Sequence, residues 1–375
     1  MKRLRIGVDF HEWDGIFQGS RNHVLGIYRH AIRQAPDVDF FFFLESTETL
    51  RDAHEEFRRQ NVRLIHMPRR HGLIRLGLQL PWLRFFHGID ILHTQYRLPF
   101  IKTGRSVCTI HDILFETYPE FFPAGFVKEA KLTYRMAVRQ ADLIFTVSEF
   151  SKQEIRRIYH VPEAKIRVAY NGVDQARFFP GRDGMECVQS LGLTPGHYIL
   201  IVGRLEPRKN HLTLIKAWTL LGASAPPLVI VGQEDPSFPD VREAIDAMAD
   251  IHKVIRFKQM GDDVLPDVMR HAAAFVYPAF AEGFGMPVAE AMASGVSVVT
   301  SNSTSLKEVA GDGAILFDPT DEHDLYRALK SALDMSIQER QALVDRALKQ
   351  VARFNWNQSA AVLLDGLRAV SASTA

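Results

Sequence analysis

Two carboxylates, Glu282 and Glu290, flank the turn Gly283-Phe284-Gly285 in the stretch FVYPAFAEGFGMPVAEAMASGVSVVTS, residues 275–301. Glu282 falls in a loop, and Glu290 falls on a helix face otherwise made of Val288, Ala289, Ala291 and Met292. A carboxylate on such a face needs a partner, because burying an unpaired charge is expensive. The glycines let backbone approach a ligand closely. The plainer reading is a surface glutamate plus an acid favoured by a helix N-terminus. A second group is the loop Gly203-Arg204-Leu205-Glu206-Pro207-Arg208-Lys209-Asn210 before the helix HLTLIKAWTLL. There Arg204 and Lys209 add fixed charge to the free N–H groups of a helix start, a combination suited to a diphosphate, although short basic loops are commonly just solvated. The third is His111-Asp112 at the end of the apolar run SVCTI. His111 can donate a hydrogen bond to a ligand hydroxyl, with Asp112 fixing its tautomer. A lone histidine is more often a satisfied core residue.

The elements around these groups follow from periodicity. The run ending at Tyr277-Pro278, the helix through Pro287 and Met292, and the strand VSVVTS make one parallel βαβ unit. Its loop lies at a strand's carboxyl end, where open α/β sheets bind ligands. Pro287 suits the first helical turn, where its missing N–H is not needed. Residues 4–10 read as a first strand, followed by a glycine loop at Gly15 and Gly19. A helix is expected from about Ser20 as N-cap, with Leu25, Tyr28, Ala31 and Ile32 on its core face. VDFFFFL (38–44) is apolar enough to be covered on both faces. Strands are also expected at 89–96, 106–110, 141–148, 198–203 and 227–232, with a helix over 124–140 and Ser148 capping another. Residues 175–196 read as an irregular linker, and 356–375 as an amphipathic tail headed by Trp356.

Length and composition bound the function. At 375 residues, with 46% hydrophobic and 24% charged, the natural reading is two cored domains. A formal net charge of +1 provides no global pull towards nucleic acid. Cys108 and Cys187 fit no metal-ligand spacing and read as buried reduced thiols of a cytoplasmic protein. No apolar run approaches the roughly 20 residues needed to span a bilayer. In MPRRHGLIRLGLQLPWLRFFHG (67–88), arginines punctuate leucines and aromatics. This basic amphipathic stretch suits an anionic bilayer surface at 69–86, or equally a core-facing helix with solvated arginines.

The phrase EGFGMPVAE, set between a strand ending in Tyr-Pro and the strand ASGVSVV, resembles the E-x7-E signature of the retaining glycosyltransferases of family four. VGRLEPRKN resembles that family's G-R-x-x-x-x-K-N motif, TVSEFSK resembles its T-V-S-x-x-S-K segment, and TIHDILFETYPEFF resembles a segment of its mannosyltransferase-like members. The second glycine of the family's V-G-x-G is here Glu234, which blurs what that loop contacts. The resemblance implies an α/β GT-B architecture, two doubly wound Rossmann-like domains facing each other across a cleft. An acceptor-side domain would span 1–175, with helix 356–375 packing back on it, and a nucleotide-sugar domain 176–355. It implies Arg204 and Lys209 on the donor's diphosphate, backbone at Phe284, Gly285 and Met286 beside it, and Glu290 on the ribose. It further implies Glu282 and His111 at the donor sugar, with the Gly19 loop and Ser20, Arg21 and Asn22 as acceptor or phosphate contacts. The expected reaction is transfer of a hexose, mannose from GDP-mannose, to a saccharide or glycolipid acceptor with retention and without metal or other cofactor. A UDP-sugar donor, a non-catalytic nucleotide-sugar sensor and a sugar-nucleotide epimerase are the alternatives.

Overall fold

The computed structural model describes residues 3–15, 19–248 and 253–373. The chain divides into two units, one made of Met1–Gly172 with Asn355–Ala375 and the other of Val173–Phe354.

The first unit is built on seven parallel strands: β1 (Leu4–Asp9), β2 (Val38–Leu44), β3 (Val62–His66), β4 (Ile91–Gln95), β5 (Arg105–Thr109), β6 (Leu143–Thr146) and β7 (Ile166–Val168). Their order is β3-β2-β1-β4-β5-β6-β7. The second holds β8 (Ile199–Val202), β9 (Leu228–Val231), β10 (Val254–Phe257), β11 (Ala274–Tyr277), β12 (Val298–Ser301) and β13 (Ile315–Phe317), also parallel, in the order β10-β9-β8-β11-β12-β13. Both are doubly wound sheets. In each, the winding reverses beside the first strand, between β1 and β4 and between β8 and β11, and opens a crevice at the strands' carboxyl ends.

The phenylalanine run of β2 is covered on both faces. Phe40 and Phe42 pack with Tyr28 on one side, and Phe43 with Ile89 and Leu92 on the other. Each such side chain contributes roughly 1.5–3 kcal/mol on burial. The helix Trp356–Ala372 belongs to this first unit, burying Leu363, Leu364 and Leu367 beside Val24 and Ile27. Its indole occupies a slot that glycine keeps open: a Cβ on Gly26 or on Gly172 would lie 2.5 Å from Trp356. The final two residues of the expected tail lie outside the described residues.

Four expectations are corrected. The first long helix starts at Gly19 rather than after Ser20, and Ser20 is buried inside it. Its core face is Val24, Ile27, Tyr28, Ala31 and Ile32, with Leu25 only half-buried, because the apolar stripe runs from position 24. Residues 16–18 of the glycine loop lie outside the described residues. The stretch 175–196 is part of the second unit and contains the helix Met185–Ser190. Arg270 organises it, donating to the carbonyls of Phe179 and Asp183, each at 2.8 Å. Cys187 is half-buried, unlike Cys108.

The basic stretch is three short helical segments: Gly72–Ile74, a π-helical turn Arg75–Gln79, and Leu80–Phe86. Leu76, Leu80 and Leu83 face the core, whereas Leu78, Trp82, Phe85 and Phe86 stand exposed, Phe85 at 88%. Arg84 is no surface charge; it is buried and donates to the carbonyls of Asp90 and Arg105. Among the described residues, no helix is long and apolar enough to cross a membrane.

Candidate active site

In the second unit the polar loops after β8 and β11 lie side by side at the reversal point. Phe280 N–H donates to the Arg208 carbonyl at 2.9 Å, and Arg208 Nη1 donates to the Ala281 carbonyl at 2.7 Å. Asn210, in the left-handed region at φ 57°, donates through Nδ2 to the carbonyls of Pro278 and Pro319. One amide thus ties together the loops that follow β8, β11 and β13. From the other side, Thr304 Oγ1 accepts from Glu282 N–H at 3.0 Å, and Ser305 Oγ donates to the Glu282 carbonyl at 2.7 Å.

This scaffold converges on Glu282. Its Oε1 takes Lys209 Nζ in a short ion pair, Arg208 Nη1 at 2.9 Å and the Tyr277 hydroxyl at 3.0 Å. Lys209 also reaches the Tyr277 hydroxyl at 2.7 Å. Burial opposes the charge on Glu282, but the two cations outweigh it and hold the carboxyl down to about 2. The same burial lowers Lys209, against the pull of Glu282. All three of these contacts fall on Oε1, which fixes the orientation of the carboxylate. Glu206 engages Arg208 at 2.6 Å, so the nest of two acids and two bases is formally balanced.

Arg204 stands apart from this nest. It is half-exposed, pairs with Asp235 at 3.5 Å, and has a buried Nε without a hydrogen-bond partner among the described residues. Gly285, at φ +97°, starts the helix Met286–Ala293, and a Cβ there would lie 2.5 Å from Leu306. Phe284 is buried with its ring edge-on to Phe354, so it contributes backbone rather than side chain to the loop. Glu290 is half-buried on that helix, and desolvation pushes its carboxyl up to about 8, with Arg177 as the opposing positive charge. Gly232 closes β9 because a Cβ would collide with the Gly203 carbonyl at 1.9 Å, and Glu234 turns to Arg256 at 3.2 Å.

The first unit places a different set at its own reversal point. His111 follows β5 and is buried; its Nε2 lies 2.8 Å from Gln95 Oε1 at the end of β4. Gln95, rather than Asp112, therefore holds that ring nitrogen, while Asp112 accepts from Leu114 N–H at 3.1 Å. The His23 ring lies edge-on at 4.7 Å, with its Nδ1 2.7 Å from Asn171 Oδ1. His93 bonds Tyr28 and Thr109. Burial pushes His23 down to about 4, His93 to about 3 and His111 well below its ordinary value, so all three are neutral. At the end of β1, Asp9 meets His11 at 3.0 Å and Arg75 at 2.8 Å. Glu12 lies 3.2 Å from His11, and desolvation raises its carboxyl to about 7. Gly19 is exposed with open space around it, Asn22 is exposed, and Arg21 stacks over Trp13 at 4.3 Å.

Sequence reasoning missed Arg208, Gln95 and the β1 cluster. Arg208 stands next to Lys209 in a loop whose second wall comes from 70 residues further on. An alternation of apolar strand and polar terminus at His93, Gln95 and His111 was the available signal for Gln95.

Two doubly wound parallel sheets, each with polar loops gathered at its own reversal point, are the architecture of the GT-B class of glycosyltransferases. The model of the glycosyl transferases group 1 matches residues 189–350, and that of Glycosyltransferase Family 4 matches residues 17–177. The chain is 34% identical over 264 residues to O-antigen chain mannosyltransferase B of Escherichia coli, covering 68% of each. It therefore belongs to glycosyltransferase family four, as a mannosyltransferase-like member, and is a sugar-transferring enzyme. Solved structures agree on the fold. Sucrose-phosphate synthase of Thermosynechococcus elongatus superposes with a TM-score of 0.78 at 19% identity, over 99% of this chain and 100% of that one. HepE of Anabaena, in complex with UDP and glucose, superposes at 0.74 and 19% identity, over 97% and 100%.

Proposed function

We propose that the enzyme transfers mannose from GDP-mannose to a saccharide or lipid-linked saccharide of a surface polysaccharide, with retention at the anomeric carbon. The observation that carries the reading is the Glu282 nest at the β8/β11 reversal, with Arg208, Lys209 and Tyr277 fixed on one carboxylate oxygen. The mannose assignment is supported by the O-antigen mannosyltransferase relative. Breaking the anomeric C–O bond loads negative charge on the departing diphosphate, and preorganised positive charge lowers that barrier. Lys209 and Arg204 supply it together with N–H groups around Phe284, Gly285 and Met286, so the reaction needs no metal ion. Lys209 then exchanges part of its Glu282 contact for phosphate. Glu290, ionised beside the ribose, accepts its hydroxyls, which lowers its pKa on binding. Glu282 orients the donor sugar, and His111 hydrogen-bonds that sugar. The acceptor is assigned to the end of β1 and the Gly19 loop.

Thermal stability in EDTA with a panel of nucleotides and nucleotide sugars tests the donor, because a ligand of the native state raises Tm by mass action. GDP and GDP-mannose are expected to stabilise, and Arg204→Ala and Glu290→Ala to abolish the shift. Stabilisation by UDP-sugars instead would overturn the GDP-mannose assignment, and HepE with its UDP keeps that outcome in view. No shift with any nucleotide would sink the donor-site assignment.

The enzyme also makes peripheral contact with an anionic membrane surface through residues 69–86. The exposed Leu78, Trp82, Phe85 and Phe86, flanked by the exposed Arg69 and Arg70, support this contact, and residues 67–88 contain no acidic side chain. Co-sedimentation with phosphatidylglycerol vesicles, lost in Trp82→Ser/Phe85→Ser and absent with pure phosphatidylcholine, is the expected result.

A further inference from the structure

His111 is held from several directions. Gln95 meets Nε2 at 2.8 Å, the Tyr96 ring lies 5.1 Å away, and the His23 ring lies edge-on at 4.7 Å. Tyr96 is a non-glycine residue with φ 62°, in the left-handed region, immediately after β4. Bulky residues occupy that region only when their surroundings impose it, and such strain collects at functional sites. The reason is visible here. The kink at Tyr96 turns the chain so that the Gln95 amide and the Tyr96 ring both serve His111. Register supports this arrangement, since β4 and β5 pair with Gln95 opposite Thr109, two residues before His111.

A carboxamide oxygen has no proton to give, so the ring nitrogen facing it must carry one. We infer that Gln95 is a positioning residue that locks His111 as the Nε2-protonated imidazole, so that the atom it offers a ligand is the Nδ1 lone pair. This inference rests on the reading that His111 meets the donor sugar, and it sharpens that reading into a specificity rule. A lone pair accepts a hydroxyl proton. It cannot donate to a carbonyl, a carboxylate or a phosphate oxygen. The sugar is therefore one that presents a hydroxyl to Nδ1. Its deoxy analogue at that position, and the analogue oxidised there to a carboxylate, are rejected because the buried nitrogen is left unpaired or faces a second acceptor. Charging the ring would reverse the rule, and burial opposes it: His23, His93, Tyr96 and Gln95 around the ring carry no charge, and the neighbouring carboxylate of Asp112 is engaged by Leu114 N–H at 3.1 Å.

Histidine-selective ¹⁵N NMR on the full chain without ligand, with His111→Ala to assign the ring, tests the inference independently of any donor. A neutral ring protonated on Nε2 from pH 5 to 8 is expected. Gln95→Leu should give a tautomer mixture, and Gln95→Glu should raise the ring's pKa and make it titrate within that range. A wild-type ring protonated on Nδ1, or charged at pH 7, would overturn the inference, as would a Gln95→Leu ring unchanged from wild type. Kinetics then test the reading beneath it. With a series of monodeoxy GDP-mannose analogues, one position should lose about 10- to 100-fold in kcat/KM in wild type and little in His111→Ala. In Gln95→Glu, kcat/KM should acquire a new acid limb. Equal losses for all analogues in both enzymes would remove His111 from the donor sugar while leaving the tautomer result standing.

Discussion

The two sheets share one winding order and reverse at the same point, yet they fill that point with opposite electrostatics. At the β8/β11 reversal stand permanent charges, with Glu282 held between Arg208 and Lys209. At the corresponding ends of β4 and β5 the groups that gather are histidines that burial keeps neutral, although the ion pair Asp9–Arg75 stands at the end of β1. Backbone topology therefore chooses where a ligand goes, and side-chain environment chooses what kind of interaction it meets. On the proposed function, the fixed charge would answer a diphosphate and the neutral imidazoles and amides would answer hydroxyls.

The strongest challenge to this contrast is removal of the charge at its centre. Glu282→Gln leaves Lys209 facing a neutral amide while Arg208 keeps Glu206, and truncating a buried ion pair costs about 3–5 kcal/mol. Chemical denaturation should show that loss in the second unit, and a loss below about 1 kcal/mol would mean the nest is effectively solvated. Lys209→Ala should reduce kcat by about 10²–10³-fold, as for removal of one preorganised donor at a developing anion. A change confined to KM would move Lys209 from the transition state to ground-state binding.

Acid should separate the two units. Unfolded histidines bind protons below about 6.5. The native first unit holds His23, His93 and His111 neutral to far lower pH, so stability is lost as pH falls through this window. Glu12, raised to about 7 by its burial, and His11, raised against its burial by Asp9 and Glu12, both offset part of this loss. In the second unit His211, at about 3, acts in the same direction. There Glu290, at about 8 against 4.5 unfolded, is an acid that the native state prefers protonated, so it gains stability as pH falls from 8 to 4.5. Glu282, lowered to about 2, keeps its contribution until pH drops below about 4.5. Amide exchange at pH 7 and pH 5, corrected for intrinsic rates, should show β4 and β5 opening before β8 and β11. Glu290→Gln should flatten the second unit's gain. The smallest effect belongs to Phe85→Ser. At 88% exposure it should change stability by less than about 0.5 kcal/mol while weakening vesicle binding.

Much of this was readable from local pattern. The βαβ unit at 275–301 announces itself because strand, glycine turn and helix occupy one continuous stretch, and the structure returns them as β11, Met286–Ala293 and β12. Helix Ala124–Gln140 and the Ser148 cap were equally local. What escaped depends on contacts between distant segments. Three consecutive polar residues at 208–210 give no hint that Arg208 turns to Glu282 while Asn210 bridges two prolines. β3 lies at a sheet edge with a half-exposed pattern, so its apolar signal is diluted. The Gln95 amide reaches His111 only because β4 and β5 are neighbours, a fact of topology rather than of spacing.

The glycine slot for Trp356 has a consequence for the order in which the protein can be made. Residues 355–373 complete the first unit, yet they leave the ribosome after the whole of the second. At typical elongation rates the nascent first unit waits on the order of tens of seconds with the apolar stripe at Val24, Ile27 and Tyr28 lacking its cover. During that interval the second unit, contiguous from Val173 to Phe354, has its whole sequence available. Synthesis runs from one end to the other, but completion runs the opposite way.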